Sequence, residues 1–98
     1  MSASERPVFE VRLRSKRVQR ELDALQEVDY ERVTVKLRAL ANAPRPQGCE
    51  KLYDAIYRVR VGDFRIIYLI DEGNKRIEVG GIRRRTERTY KGIEGLFR

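Results

Sequence analysis

Three arginines stand in one short block, Tyr57-Arg58-Val59-Arg60-Val61-Gly62-Asp63-Phe64-Arg65-Ile66-Ile67-Tyr68, whose alternation around a central Gly-Asp predicts a β-hairpin. With Gly62 and Asp63 as the two loop residues, Arg60 stands opposite Arg65, Val61 opposite Phe64, Val59 opposite Ile66 and Arg58 opposite Ile67. Residues directly opposed in an antiparallel pair project from the same face. Tyr57, Val59, Val61, Phe64, Ile66 and Tyr68 therefore form an apolar face to be buried, while Arg58, Arg60 and Arg65 share the other. Opposed like charges destabilise a ribbon by some tenths of a kcal/mol, and a guanidinium is a planar fork of donors suited to phosphate. The expectation is an anion site between the three arginines. The competing reading is a solvated outer face with Asp63 or Glu78 as counter-charge, and a register slip of one residue would dissolve the grouping.

A second basic group follows the last expected strand: Arg83-Arg84-Arg85, then Arg88, Tyr90 and Lys91. Arginines interleaved with a tyrosine can clamp phosphate and stack on an exposed base. The whole chain carries 22 Lys+Arg against 15 Asp+Glu, a net charge of +7, and 17 of the 22 are arginine. That balance points to a polyanionic partner, nucleic acid first, against the alternative that the charge serves solubility.

Absences exclude other chemistry. There is no histidine, so Ser-His-Asp and Cys-His triads and the histidine-pair scheme of many ribonucleases are ruled out. The single Cys49 permits no internal disulfide and, without histidine, no common zinc site, and it fits a reducing compartment. No apolar run approaches the ~20 residues that span a bilayer. The expected protein is soluble and cytoplasmic, with no membrane association and no cofactor.

The elements that must position these arginines are legible from periodicity. At 98 residues the chain fits one domain, 1–98. Residues 8–13 read as a first strand. Ser15 is a plausible N-cap for a helix whose stripe is Val18, Leu22, Leu25 and Val28; Asp29 is the expected cap of a second, with Val33, Leu37, Leu40 and Ala41 as its stripe. Pro44 and Pro46 stop that helix near Asn42. Three strands follow: 57–61, 64–70 and 76–82, the last with Ile77 and Val79 on one face. Residues 83–98 read as a basic, weakly helical tail with Ile93, Leu96 and Phe97 available to dock. The fold class is α+β, β-α-α-β-β-β-α: an antiparallel sheet of about four strands, a two-helix hairpin packed on one face, and a short C-terminal helical tail.

This order, with Leu52, the Tyr57–Tyr68 block and an arginine-rich segment ending in Tyr90, resembles the RelE toxins of the RelE/ParE superfamily of type II toxin–antitoxin systems. The resemblance covers nearly the whole chain and is most specific in the hairpin. It implies an mRNA endoribonuclease acting in the A site of the 70S ribosome without metal, by attack of a ribose 2′-hydroxyl on the adjacent phosphate to leave a 2′,3′-cyclic phosphate. Carried over by motif, the catalytic positions fall on Arg58, Arg60, Arg65, Arg84 and Tyr90, and the RNA-binding ones on Lys51, Arg83, Arg85, Arg88 and Lys91. The implied partners are mRNA, the ribosome and a cognate acidic antitoxin in a hetero-oligomer, for which Ile93, Leu96 and Phe97 would also suit contact.

The chain departs from the best-known pattern by placing arginine where lysines stand at the first two positions. Arginine stays protonated, so Arg60 is a poor general base. Glu50, close to a position that is acidic in some relatives, is a candidate base; its other reading is a loop carboxylate paired with Lys51. The resemblance leaves two further functions open: a ParE-like inhibitor of DNA gyrase, and a catalytically decayed homologue that only binds.

Overall fold

A computed structural model describes residues 8–84 together with Leu96 and Phe97. Ser15 starts the first helix as expected, its hydroxyl accepting from the Val18 amide at 3.4 Å. After strand β1 (Glu10–Leu13), helix α1 (Lys16–Asp23) buries Val18 and Leu22, one turn apart, and stops two residues before Leu25. The Leu25 amide turns back onto the Leu22 carbonyl at 3.1 Å, which breaks the expected four-residue stripe. Leu25 still packs at the core edge, but Val28 belongs to the next helix and is 58% exposed. Helix α2 (Glu27–Leu40) begins after Gln26, not at Asp29. Asp29 lies in its first turn with Glu27, where both carboxylates meet the positive end of the helix dipole. Val33, Leu37 and Leu40 recur at helical spacing and are buried, as their periodicity requires.

Four strands then run as an antiparallel meander: β2 (Glu50–Tyr53), β3 (Ile56–Val61), β4 (Phe64–Asp71) and β5 (Arg76–Arg84). The sheet is five-stranded, in the order β1-β5-β4-β3-β2. Three features correct the expected sheet. Residues 50–53 add a strand too short for its alternation to show in the sequence. β1 pairs with β5 in parallel, which its long crossover through both helices and the meander permits. β5 also runs on through Arg83 and Arg84, which were expected in the tail.

The hairpin register is the expected one throughout, from Val61 opposite Phe64 to Tyr57 opposite Tyr68. Val59, Phe64, Ile66 and Tyr68 consequently face the helices in the main core, with Tyr57 and Val61 at its margin. Fully burying side chains of this size contributes roughly 1.5–3 kcal/mol each. Tyr68 is completely buried; its hydroxyl donates to the Pro44 carbonyl at 2.7 Å and pins the loop after α2. Burial pushes the Tyr68 phenol well above its ordinary value, so it keeps its proton and the bond.

The outer face has a small core of its own. Ile56 and Ile67 are buried there with Leu52, Leu69, Leu96 and Phe97, so two of the three apolar tail residues dock on the parent sheet. Arg14 fastens them: it donates to the Phe97 carbonyl at 2.5 Å, lies 5.9 Å from the Phe97 ring centroid and pairs with Glu78. Ile93 lies outside the described residues.

One irregularity matters for the site. Along β4 and β5, Ile67 pairs with Gly81 and Tyr68 with Val79, leaving Gly80 as the extra residue of a β-bulge. A β-carbon on Gly80 would lie 2.5 Å from the Phe97 ring, so any larger residue would have to displace that ring. On the other side β1 has ended, and α1 supplies the edge bonds. Arg17 donates to the Gly80 carbonyl at 2.9 Å, and Glu21 accepts from the Ile82 amide at 3.0 Å.

Candidate nucleic-acid interface

Alternation along three neighbouring strands brings four arginines to one end of the outer face. Arg58 and Arg60 come from β3, Arg65 stands opposite Arg60 on β4, and Arg83 stands opposite Arg65 on β5. The grouping of Arg58, Arg60 and Arg65 read from the turn is therefore present. Arg60 is exposed, and its Nε donates to the Gly62 carbonyl at 3.2 Å, so its head leans toward the turn. Arg58 is largely shielded, its side chain 17% accessible. Both its Nε and Nη2 reach Glu50 Oε1, at 2.9 and 2.8 Å, from the facing position on β2. Glu50 thus pairs with Arg58 and not with Lys51. Its side chain is 62% exposed. Of the two expected counter-charges, Glu78 is bound to Arg14 at the opposite end of the face, while Asp63 stands in the turn between β3 and β4.

Two placements differ from expectation. Arg84 stands opposite Phe64, on the helix side of the sheet, with its guanidinium carbon 5.2 Å from the Phe64 ring centroid. It lines a cleft of about 470 Å³ beside the α1–α2 turn, together with Glu21 and Asp29. The cause is the Gly80 bulge: one extra residue inverts the facing of everything beyond it, so Arg83 goes outward and Arg84 inward. The adjacent Gly80-Gly81 in an otherwise apolar strand was the available signal, because glycine inside a strand often marks a bulge. Lys51, for its part, stands opposite Tyr57 and so faces away from the arginines. Tyr90, Arg85, Arg88 and Lys91 lie outside the described residues.

A residue that sequence reasoning missed is Glu21. Its Oε2 is 2.8 Å from Arg17 Nη1 and 3.5 Å from Arg83 Nη2, while Oε1 holds the Ile82 amide. No spacing rule connects a helix carboxylate to a strand sixty residues on, so nothing in the sequence marks it.

Chemically, the basic end offers guanidinium donors from three neighbouring strands, with the Glu50 carboxylate beside Arg58. It can receive a phosphodiester and stabilise negative charge that grows on it. Among the described residues, no helix is long and apolar enough to cross a membrane.

The comparisons agree with this architecture. The archaeal RelE–RelB complex from Pyrococcus horikoshii OT3 contains a chain similar to this one at 26% identity, with a TM-score of 0.75, over 82% of this chain and 98% of that one. The isolated Escherichia coli RelE toxin is similar in fold at 16% identity, TM-score 0.69, over 90% and 95% of the two chains. The intact E. coli RelBE toxin–antitoxin complex is similar in fold at 17% identity, TM-score 0.69, over 81% and 99%. No curated protein matches the sequence. The family model described as the ParE toxin of the type II toxin–antitoxin system parDE matches residues 13–89, from the end of β1 to just short of Tyr90. The chain therefore belongs to the ParE toxin family, within the RelE/ParE superfamily of type II toxin–antitoxin toxins.

Proposed function

We propose that this toxin is a metal-independent endoribonuclease that cleaves mRNA in the ribosomal A site and is held inactive by an acidic antitoxin. The observation that carries the reading is the set Arg58, Arg60, Arg65 and Arg83 on one face of adjacent strands, a concentration of guanidinium donors that supports binding of a phosphodiester backbone. In this reading the 2′-hydroxyl attacks the adjacent phosphorus, the 5′-oxygen leaves with a proton, and a 2′,3′-cyclic phosphate remains. Preorganised guanidinium donors stabilise the pentacoordinate transition state, each by roughly 3–4 kcal/mol. Arg58, Arg60 and Arg65 are the catalytic contacts, and Tyr90 completes the set from beyond the described residues. Arg83 takes the place at the strand end that the motif gave to Arg84; Arg84, with Arg85, Arg88 and Lys91, contributes RNA contacts along the departing chain. The proton acceptor is Glu50, or a group of the ribosome. Glu50→Gln decides between them, since removing a general base lowers the rate by roughly 10²–10⁴-fold.

The antitoxin partner rests on the family and on the similar chains crystallised as RelE–RelB complexes. A second reading, inhibition of DNA gyrase, is favoured by the family model that matches. One experiment separates the two. The protein is induced in cells carrying a translated reporter, and new mRNA 5′ ends are mapped while plasmid supercoiling is followed. Cuts within codons support the nuclease. Relaxed plasmid with intact mRNA overturns it in favour of the gyrase reading.

A further inference from the structure

Glu21 lies on α1, on the helix side of the sheet, yet its carboxylate meets both the backbone and a guanidinium at the end of β5. Its two oxygens do different work. Oε1 accepts from the Ile82 amide, replacing the strand partner that β1 no longer provides. A neutral amide oxygen would serve that purpose equally. Oε2 is engaged by Arg17 at 2.8 Å and by Arg83 at 3.5 Å, and here the charge is needed. Arg83 has its Nε buried with no hydrogen-bond partner, an arrangement a free arginine would relieve by turning its head to solvent. The side chains of Arg83 and Glu21 are both largely shielded, 25% and 22% exposed, so their attraction is less screened than that of a surface pair.

We propose that Glu21 is a positioning residue: by binding the Ile82 amide and the Arg83 head with one carboxylate, it fixes Arg83 at the basic end of the outer face. The role rests on the nuclease reading above, in which Arg83 receives phosphate. Glu21 meets no substrate and acts through Arg83 alone. The Gly80 bulge decides that Arg83 faces outward; Glu21 decides where its head stays.

The test uses the full chain and the variants Glu21→Gln, Arg83→Ala and the double variant. Glu21→Gln keeps an acceptor for Ile82 and should leave the fold intact by circular dichroism. Its reporter cleavage should fall roughly tenfold to a hundredfold, the scale of a misplaced catalytic contact. The double variant should be no worse than Arg83→Ala alone, because both act through one group. Independently of activity, the Arg83 Nε–H resonance should be slow to exchange with solvent in the wild type and fast in Glu21→Gln. Additive losses, or an Arg83 signal unchanged by Glu21→Gln, would overturn the proposal. A protected Arg83 signal that Glu21→Gln releases, in a protein that never cuts mRNA, sustains the positioning and overturns only the nuclease reading.

Discussion

The outer face of the sheet has two ends built from the same residue types to different effect. At one end Glu10, Arg12, Asp71, Arg76 and Glu78 alternate in sign across β1, β5 and β4, and Arg14 adds a third arginine to the three acids. The pairs there are direct: Arg12 with Glu10 at 3.1 Å, Arg76 with Glu10 at 3.7 Å, Arg14 with Glu78. At the other end Arg58, Arg60, Arg65 and Arg83 share the surface, among the described residues, with the Glu50 carboxylate, and Asp63 stands in the adjoining turn. Between them lies the apolar patch of Ile56, Ile67 and Leu69 under Leu96 and Phe97. One sheet thus balances its charges where balance serves stability and concentrates one sign elsewhere. A basic composition alone would have spread the excess over both ends.

That contrast can be broken most directly by removing one cation from each end. Arg65→Ala should reduce reporter mRNA cleavage roughly a hundredfold or more, the loss typical of a transition-state donor, and relieve growth arrest. Arg12→Ala should leave both unchanged; equal effects at the two ends would erase the distinction. The boundary between the ends can be tested next. Gly80→Val drives a branched side chain into the Phe97 ring, and overpacking of this kind costs about 1–3 kcal/mol, read as a lower urea midpoint with an unchanged slope.

A smaller effect should come from the opposite face. Tyr68→Phe removes the bond to the Pro44 carbonyl and should cost about 1 kcal/mol at neutral pH. The phenol's raised folded-state value means that the native state holds its proton above pH ~10, where the unfolded chain begins to lose it. Stability is therefore fully present below that point and falls as pH rises, approaching about 1.4 kcal/mol per pH unit. The wild type should show this alkaline limb by urea denaturation at pH 9–11, and Tyr68→Phe should flatten it. The smallest effect belongs to the balanced end, where both partners are more than half exposed. Glu10→Gln should shift stability by no more than about 0.5 kcal/mol, and less in salt.

Much of the positioning was legible because it is local. The Gly62-Asp63 turn sets the register of β3 and β4, and register alone places Arg58, Arg60 and Arg65 together. The stripe Val33, Leu37 and Leu40 announces its burial in the same way. What escaped is non-local. β2 is four residues long and defined by its partner, so its pairing of Glu50 with Arg58 has no signature of its own. The turn at Leu25 depends on a backbone bond that no stripe encodes. The exchange of Arg84 for Arg83 on the outer face follows from one bulged glycine, whose fit depends on Phe97 lying above it.

The way α1 lies along β5 has a consequence for how this toxin behaves at concentration. A sheet margin with unfilled amide and carbonyl groups invites a strand from another molecule, and chains with such margins pair into aggregates. Here Arg17 and Glu21 occupy the Gly80 carbonyl and the Ile82 amide with side chains, which no incoming backbone can extend. Helix α1 thereby closes this stretch of the margin to a second chain.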